Sequence, residues 1–429
     1  MRSPVAAYLD TLRDHERSGM AEPPGLERMR SLLRAIGDPQ TWFRSVHVTG
    51  TNGKGTVSVA TAGLLADQGL AVGTYTSPHV DRLTERVALQ GHSVQDADLD
   101  FALGVIRDGA SSAGLAPTWF EVITAAAFWL FAEYKIDVAV VEVGMLGRWD
   151  ATNVIDADIA VVTNVELDHA ELAGPRRADI AREKAGIVKI GSTLVLGERD
   201  SALRPIFTAE QPARVLAIGD ELGISGRRIV PGGSVVDLVT PRAEHRGVRV
   251  RGPGQHNCDN ILLAVAAAEE YLSSPLSTED IDHLGTRIRL PGRTEIVHES
   301  PLVVLDGAHN PAALLALGKA LTELPHAAGP RVLVCGALRG RDLAPALARL
   351  AKDVESVIVC EPPSPRAMPA AHLSAALGWA QAPRLIADPA DALRAALTTA
   401  GTLGMVVVTG SLHLLHRARR GLPSAPGSR

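Results

Sequence analysis

Val46-His47-Val48-Thr49-Gly50-Thr51-Asn52-Gly53-Lys54-Gly55-Thr56 reads as a β-strand, a glycine-rich turn with one lysine, and a helix opening near a hydroxyl residue. Glycines at 50, 53 and 55 let the backbone around Thr51 and Asn52 turn its N–H groups inward about a phosphate. The helix N-terminus adds positive partial charge, Lys54 adds a full one, and Thr56 can ligate magnesium. This pattern points to ATP. Its spacing departs from the GxxxxGK[ST] form, because the first glycine lies four residues before Lys54 and Gly55 precedes the hydroxyl.

Outward from the loop, short β-branched runs alternate with amphipathic stretches of helical length, the pattern of an α/β protein with a mostly parallel sheet. Strands are expected at Val46–Val48, Val138–Val141, Ile159–Val162 and Thr193–Leu196, with helices over Thr56–Gln68 and Phe120–Tyr134. From Arg227 to Arg251 the texture turns glycine-rich and alternating, which predicts hairpins. A helix over Asn260–Tyr271 follows. After Pro291-Gly292-Arg293 the strand–helix alternation restarts. Leu302–Leu305, Val332–Val334, Val357–Cys360 and Met405–Val408 read as strands, and Asn310–Leu321, Leu343–Leu350 and Ala390–Ala400 as helices. A domain boundary is expected near residue 290, giving a P-loop-type domain over 1–290 and a smaller α/β, Rossmann-like domain over 291–429. The tail LPSAPGSR carries no pattern of an element and reads as disordered.

Composition excludes several classes. Of 429 residues, 46% are hydrophobic and 21% charged, with a net charge of −5, so a full core is available and no basic excess advertises nucleic acid or an anionic membrane. Aromatics at 3% weaken base stacking. Cys258, Cys335 and Cys360 lie far apart and form neither a disulfide framework nor a zinc motif, which makes the cytoplasm the expected compartment. The longest apolar run, near Ala125, ends at Glu133, too short for a bilayer.

Phosphoryl transfer needs divalent cations beside the phosphate loop. Glu142 ends the expected strand VAVVEV, at the sheet edge where ligands bind. His169 emerges after IAVVTNV at the same edge, and Ser77 follows the short strand AVGTY. Read alone, Glu142 is a solvated acid, His169 structural and Lys184 a solvated helix lysine, with Glu183 pairing to it or to Arg182. Asn310 and Pro311 together suffice as a helix cap. Capping does not explain Asp306 and His309.

The stretch GTNGKGT resembles the phosphate loop of the folylpolyglutamate synthase and dihydrofolate synthase family within the Mur ligase superfamily. PGLERMRSLL, TSPH, WFEVITAAAF, VEVGMLGRWDATN, TNVELDH, EKAGIVK, GQHNCDN, PGRTE and DGAHNP match in the same order. The resemblance implies a Mur-ligase-like ATP- and substrate-binding domain followed by a glutamate-ligase domain. It further implies magnesium on Ser77, Glu142 and His169, a carbamylated Lys184, Asn260 at the adenine, Arg293 at the phosphates, and Asp306 and His309 reaching ATP. The expected reaction joins L-glutamate to a pteroate or folate through an acyl phosphate, with ATP and Mg2+ as cofactors. The expected partners are these small molecules alone, on a monomer, with no nucleic acid and no membrane. Departures are Leu146 where GLGGR has glycine, Glu166 in NVELDH, AELAGPRRADI without a threonine after its glycine, and SLHLLHRARR near the end. Two other readings stay open: the same chemistry on a non-folate carboxylate, and a regulatory module that only binds ATP.

Overall fold

The strand before the glycine-rich turn runs Arg44–Thr49 (β1), and everything in the first half is arranged about it. In this computed structural model residues 4–14, 25–168, 170–288, 291–324, 328–379 and 381–423 are described. His169 and residues 424–429 of the tail lie outside them.

Beside β1 run Val138–Glu142 (β5) and Ile159–Val162 (β6), both parallel to it. Further out lie Val72–Tyr75 (β2), Val87–Leu89 (β3), His92–Ser93 (β4), Thr193–Leu196 (β7) and Arg214–Ala217 (β8). The eight strands follow the order β4-β3-β2-β5-β1-β6-β7-β8, antiparallel only along β2-β3-β4. Alternation along a strand sends neighbouring side chains to opposite faces. Val138 and Val140 therefore join the core formed with helices Lys54–Asp67 and Gln255–Leu272, while Ala139 and Val141 join the core under Asp96–Ser112 and Trp119–Glu133. Covering both faces is what the unbroken apolar runs of the central strands require.

Three differences from the sequence reading have local causes. The first helix starts at Lys54, two residues early, because Gly53 takes a left-handed conformation and ends the turn there. The helix Trp119–Glu133 is set by a capping box between Thr118 and Glu121. The helix expected from Asn260 begins at Gln255, since its first turn is polar and apolar periodicity becomes visible only from Ile261. Gly223–Val230 (β9), Gly233–Val239 (β10) and Glu244–Arg251 (β11) form the separate sheet β11-β10-β9, whose Val236, Leu238, Val248 and Val250 are buried in the core of the Gln255–Leu272 helix.

The chain divides into two compact units. The first holds the described residues up to 228, 234–251 and 256–288; the second holds 229–233, 252–255 and those from 291 onward. The second has its own six-stranded sheet of Glu295–Glu299 (β12), Leu302–Leu305 (β13), Arg331–Cys335 (β14), Ser356–Val359 (β15), Arg384–Leu385 (β16) and Met405–Thr409 (β17). Its order is β12-β13-β17-β14-β15-β16, with β12 the one antiparallel member. Both units are thus mixed α/β.

Candidate functional site

The turn after β1 is held open by a clamp from the loop after β6. Thr163 Oγ1 and Asn164 Nδ2 donate to the Asn52 carbonyl at 2.6 and 2.9 Å, and Asn52 N donates to Asn164 Oδ1 at 3.0 Å. Thr51 Oγ1 accepts from Glu166 N at 2.9 Å. Gly50, at φ 146°, lies so close to Thr163 that a side chain there would strike its hydroxyl. The Lys54 ammonium folds back, donating to the Gly50 and Thr51 carbonyls at 3.2 and 3.5 Å. The Gly50, Thr51 and Asn52 carbonyls are thereby satisfied, and the N–H groups of Thr51 and Asn52 are tied to Asn164, which fixes the shape of the turn. Asn260, on the facing helix, is buried with its amide against Gly53.

Glu142 is not a solvated acid. It is 2% exposed at the end of β5, paired across the ladder with Val48, and its Oε2 accepts from the Ser77 backbone N–H at 2.9 Å. A Cβ added to Gly55 would lie 3.3 Å from that oxygen. Glu142, Ser77 and the first turn bearing Thr56 therefore share one edge of the phosphate loop. Thr56 and Ser77 are buried too. Among the described residues no group of three His, Cys, Asp or Glu gathers in metal-binding array. The donors on this edge are instead one carboxylate with hydroxyl residues, and hard oxygen donors of this kind suit magnesium.

Lys184 is likewise buried, on the inward face of helix Arg177–Ala185. Burial and the nearby Lys54 ammonium push its pKa down to about 7, against the pull of Asp168 and Asp150. Glu183 does not pair with Arg182, which bonds Asp179 at 2.7 Å. The backbone of Glu183 serves instead as a seat: its carbonyl accepts from Arg148 N at 2.7 Å, and a Cβ on Gly147 would lie 2.8 Å from it. Asn153 Nδ2 adds bonds to the Arg148 and Gly186 carbonyls at 2.9 and 3.0 Å. The stretches VEVGMLGRWDATN and EKAGIVK, some thirty positions apart in sequence, thus make one piece. Thr163, Asn164 and Asp150 were not singled out from sequence. For Thr163 and Asn164 the signal was their place directly after a strand ending at the phosphate-loop edge; Asp150, eight residues beyond its strand, gave none.

In the second unit, the turn Pro291–Thr294 is bound to the loop after β13. Asp306 Oδ2 accepts from Thr294 N and Oγ1 at 2.7 and 3.0 Å, its Oδ1 accepts from Ala308 N at 2.8 Å, and Gly307 N donates to the Gly292 carbonyl at 2.8 Å. Asp306 therefore orders the turn carrying the half-buried Arg293. His309 Nδ1 donates to the Gly307 carbonyl at 2.8 Å, and Asn310 caps helix Pro311–Leu321 through Ala313 N at 2.9 Å. The turn that carries Arg293 and the loop that carries Asp306 and His309 are thus bonded to each other.

Comparison with known proteins agrees with this layout. The model of the Mur ligase middle domain matches residues 48–268, and that of the Mur ligase glutamate ligase domain matches residues 292–412. The folylpolyglutamate synthase of Lacticaseibacillus casei is 33% identical over 433 residues, spanning 95% of this chain and 96% of the relative. The solved structure of Mycobacterium tuberculosis folylpolyglutamate synthase complexed with ADP aligns with a TM-score of 0.90 at 31% identity, covering 97% of this chain and 96% of the other. A bifunctional folylpolyglutamate synthase/dihydrofolate synthase from Yersinia pestis, complexed with AMPPNP and Mn ion, aligns with a TM-score of 0.84 at 33% identity over 96% and 97% of the two chains.

Proposed function

This chain belongs to the folylpolyglutamate synthase/dihydrofolate synthase family of the Mur ligase superfamily, and we propose that it joins L-glutamate to the carboxylate of dihydropteroate, of a tetrahydrofolate, or of both, converting ATP to ADP and phosphate. It is an ATP-dependent acid–amino-acid ligase. The observation that carries the assignment is the buried Glu142 carboxylate, held by Ser77 against the first turn that bears Lys54 and Thr56.

The chemistry answers a physical problem. A carboxylate repels nucleophiles and has a poor leaving oxygen, so an amine cannot form an amide from it directly. Transfer of the γ-phosphoryl group gives an acyl phosphate; the neutral amine of glutamate then attacks the carbonyl carbon, and the C–O bond to phosphate breaks. In this reading, of P-loop type for the first unit and Rossmann-like for the second, the backbone of 50–55 cradles the phosphates. Lys54 leaves its two loop carbonyls to neutralise charge on the transferred group. Magnesium on Glu142, Ser77, Thr56 and His169 would offset the remaining phosphate charge. Asn260, beside Gly53, is assigned to the nucleotide, and Arg293, Asp306 and His309 to completing the transfer.

Lys184 is assigned a carbamate. A buried amine with a pKa near 7 has a large neutral fraction, and its lone pair can attack carbon dioxide, forming an N–C bond and releasing one proton. The product exchanges a buried cation beside Lys54 for an anion, which relieves like-charge repulsion. The three cysteines are all buried free thiols, which fits a reducing, cytoplasmic setting, and a monomer suffices for every residue named.

The pure protein incubated with ATP, magnesium, glutamate and a panel of pteroates and folates is expected to yield products heavier by one glutamyl residue, read by mass. Omitting glutamate and adding hydroxylamine traps the acid as a hydroxamate if the acyl phosphate forms. Lys54→Ala is expected to abolish both products with the thermal melt unchanged; normal turnover in that variant rejects the phosphate-loop assignment.

A further inference from the structure

His47 is an anomaly of the central strand. Val46 and Val48 beside it are core residues, and β1 is paired on both edges, so an apolar side chain at position 47 would leave the backbone ladder of the strand intact. The imidazole is instead fully buried, where burial and Lys189 hold its pKa well below the ordinary histidine value and keep it neutral.

Its bonds have a direction. Asp150 accepts at Oδ1 from Thr152 N and from Thr152 Oγ1, at 3.0 and 2.5 Å. With the threonine proton spent on Asp150, the Thr152 oxygen must accept from His47 Nε2, 2.9 Å away. The ring proton therefore sits on Nε2, and Nδ1 has no partner among the described residues. The other Asp150 oxygen, Oδ2, accepts from Met145 N at 2.8 Å. Two residues along the same face of β1, Thr49 Oγ1 donates to the Leu146 carbonyl at 2.6 Å. The strand that ends in the phosphate loop thus grips the 143–150 loop twice, once directly and once through the chain His47, Thr152, Asp150. That loop begins at Glu142 and rests on the backbone of Glu183 and Lys184.

We propose that His47 is a positioning residue for ligation: by way of Thr152 and Asp150 it holds the 143–150 loop in one setting, and with it the backbone that carries Glu142 and seats Lys184. The inference rests on the roles given to Glu142 and Lys184 above. An unsatisfied ring nitrogen inside a sheet is tolerated because the donor on its other side is needed.

The test compares His47→Leu, which removes the donor, with His47→Gln, whose amide nitrogen stands the same number of bonds from Cα as Nε2. Thr152→Val and Thr152→Ser form a parallel pair that does not disturb the strand and decides the matter should His47→Leu not fold. His47→Leu and Thr152→Val are each expected to lower kcat by about tenfold or more and to raise the magnesium needed for half-maximal rate, the range seen when partners behind a ligand are lost. His47→Gln and Thr152→Ser are expected to restore most of both. The double variant is expected to be no worse than either single one, because the residues act in series. Amide exchange at Met145 should quicken in the disabling pair and not in the conservative pair. The inference is overturned if His47→Gln is as impaired as His47→Leu, if the two disabling substitutions add, or if only the melt changes while kcat, magnesium requirement and Met145 exchange stay normal. A wild-type protein that fails to ligate any acid rejects the ligase reading instead, and the exchange comparison still decides the positioning role.

Discussion

Leu146 stands at φ 59°, in the left-handed region that a side chain makes unfavourable by about 1–2 kcal/mol. It is the position where GMLGR departs from glycine, so strain and departure coincide. Leu146→Gly is expected to be more stable than Leu146→Ala by about 1 kcal/mol in denaturant unfolding, the reverse of the usual glycine–alanine order. Equal stabilities would mean that the loop relaxes out of the left-handed region. Lys184 makes a prediction with a definite sign. Folded, it gives up its proton near 7; unfolded, it keeps the proton to about 10.5. Between those values the unfolded chain binds more protons, so its contribution to stability rises with pH across that window and is lost as pH falls through about 7. In buffer free of carbon dioxide, the melting temperature of Lys184→Met relative to wild type is expected to be highest on the acid side of the window and to decline above it. A constant difference would place the ammonium in water. Neither acid nor lysine announced its burial in sequence. The residues that cover Glu142, at Ser77 and Gly55, come from other elements, and a polar residue's exposure is set by what folds over it.

At the scale of elements, the phosphate loop depends on a loop that has no contact with it in sequence. Asn164→Ala removes both bonds from its amide to Asn52, each worth about 0.5–1.5 kcal/mol net. Calorimetry is expected to show ATP affinity reduced several-fold, with the loss larger than the drop in melting temperature would suggest; unchanged affinity would show that the cradle holds its own shape. Strands inside the sheets were legible almost residue for residue, as with Ile159–Val162, Thr193–Leu196 and Leu302–Leu305, because burial on both faces demands a near-continuous apolar run. Short or polar elements were not. Helix Arg177–Ala185 has a nearly even spread of charged residues, so no apolar stripe marks it, although it carries Lys184. Helix Thr278–Arg287 carries a one-sided but short buried stripe, Ile281, Leu284 and Gly285, only one turn long and ending in a glycine, which is too little to mark a helix in the sequence.

At the scale of the whole molecule, each unit has its own sheet and its own core, and each gathers part of the chemistry. Because Asp306 bonds to Thr294 and Ala308, Asp306→Ala is expected to loosen the Arg293 turn and lower turnover while ATP affinity, assigned in the proposed function to the loop at 50–56, stays near wild type. Titration calorimetry beside steady-state rates separates the two; loss of ATP binding with turnover intact would assign the turn to the primary nucleotide contacts. By itself the sequence determined the glycine-rich loop with its lysine, the central strands and the restart of a second α/β pattern after Arg293, because these reside in local periodicity and in spacings of a few residues; the reaction class came from the resemblance of its ordered motifs to a known family. Tertiary structure alone decided that Glu142 and Lys184 are buried, that Asn164 clamps Asn52, that Asp306 orders Arg293 and that His47 reaches Asp150. All but the Asp306 contact join segments far apart in the chain, and burial, proton affinity and hydrogen-bond direction are properties of the neighbours that packing supplies.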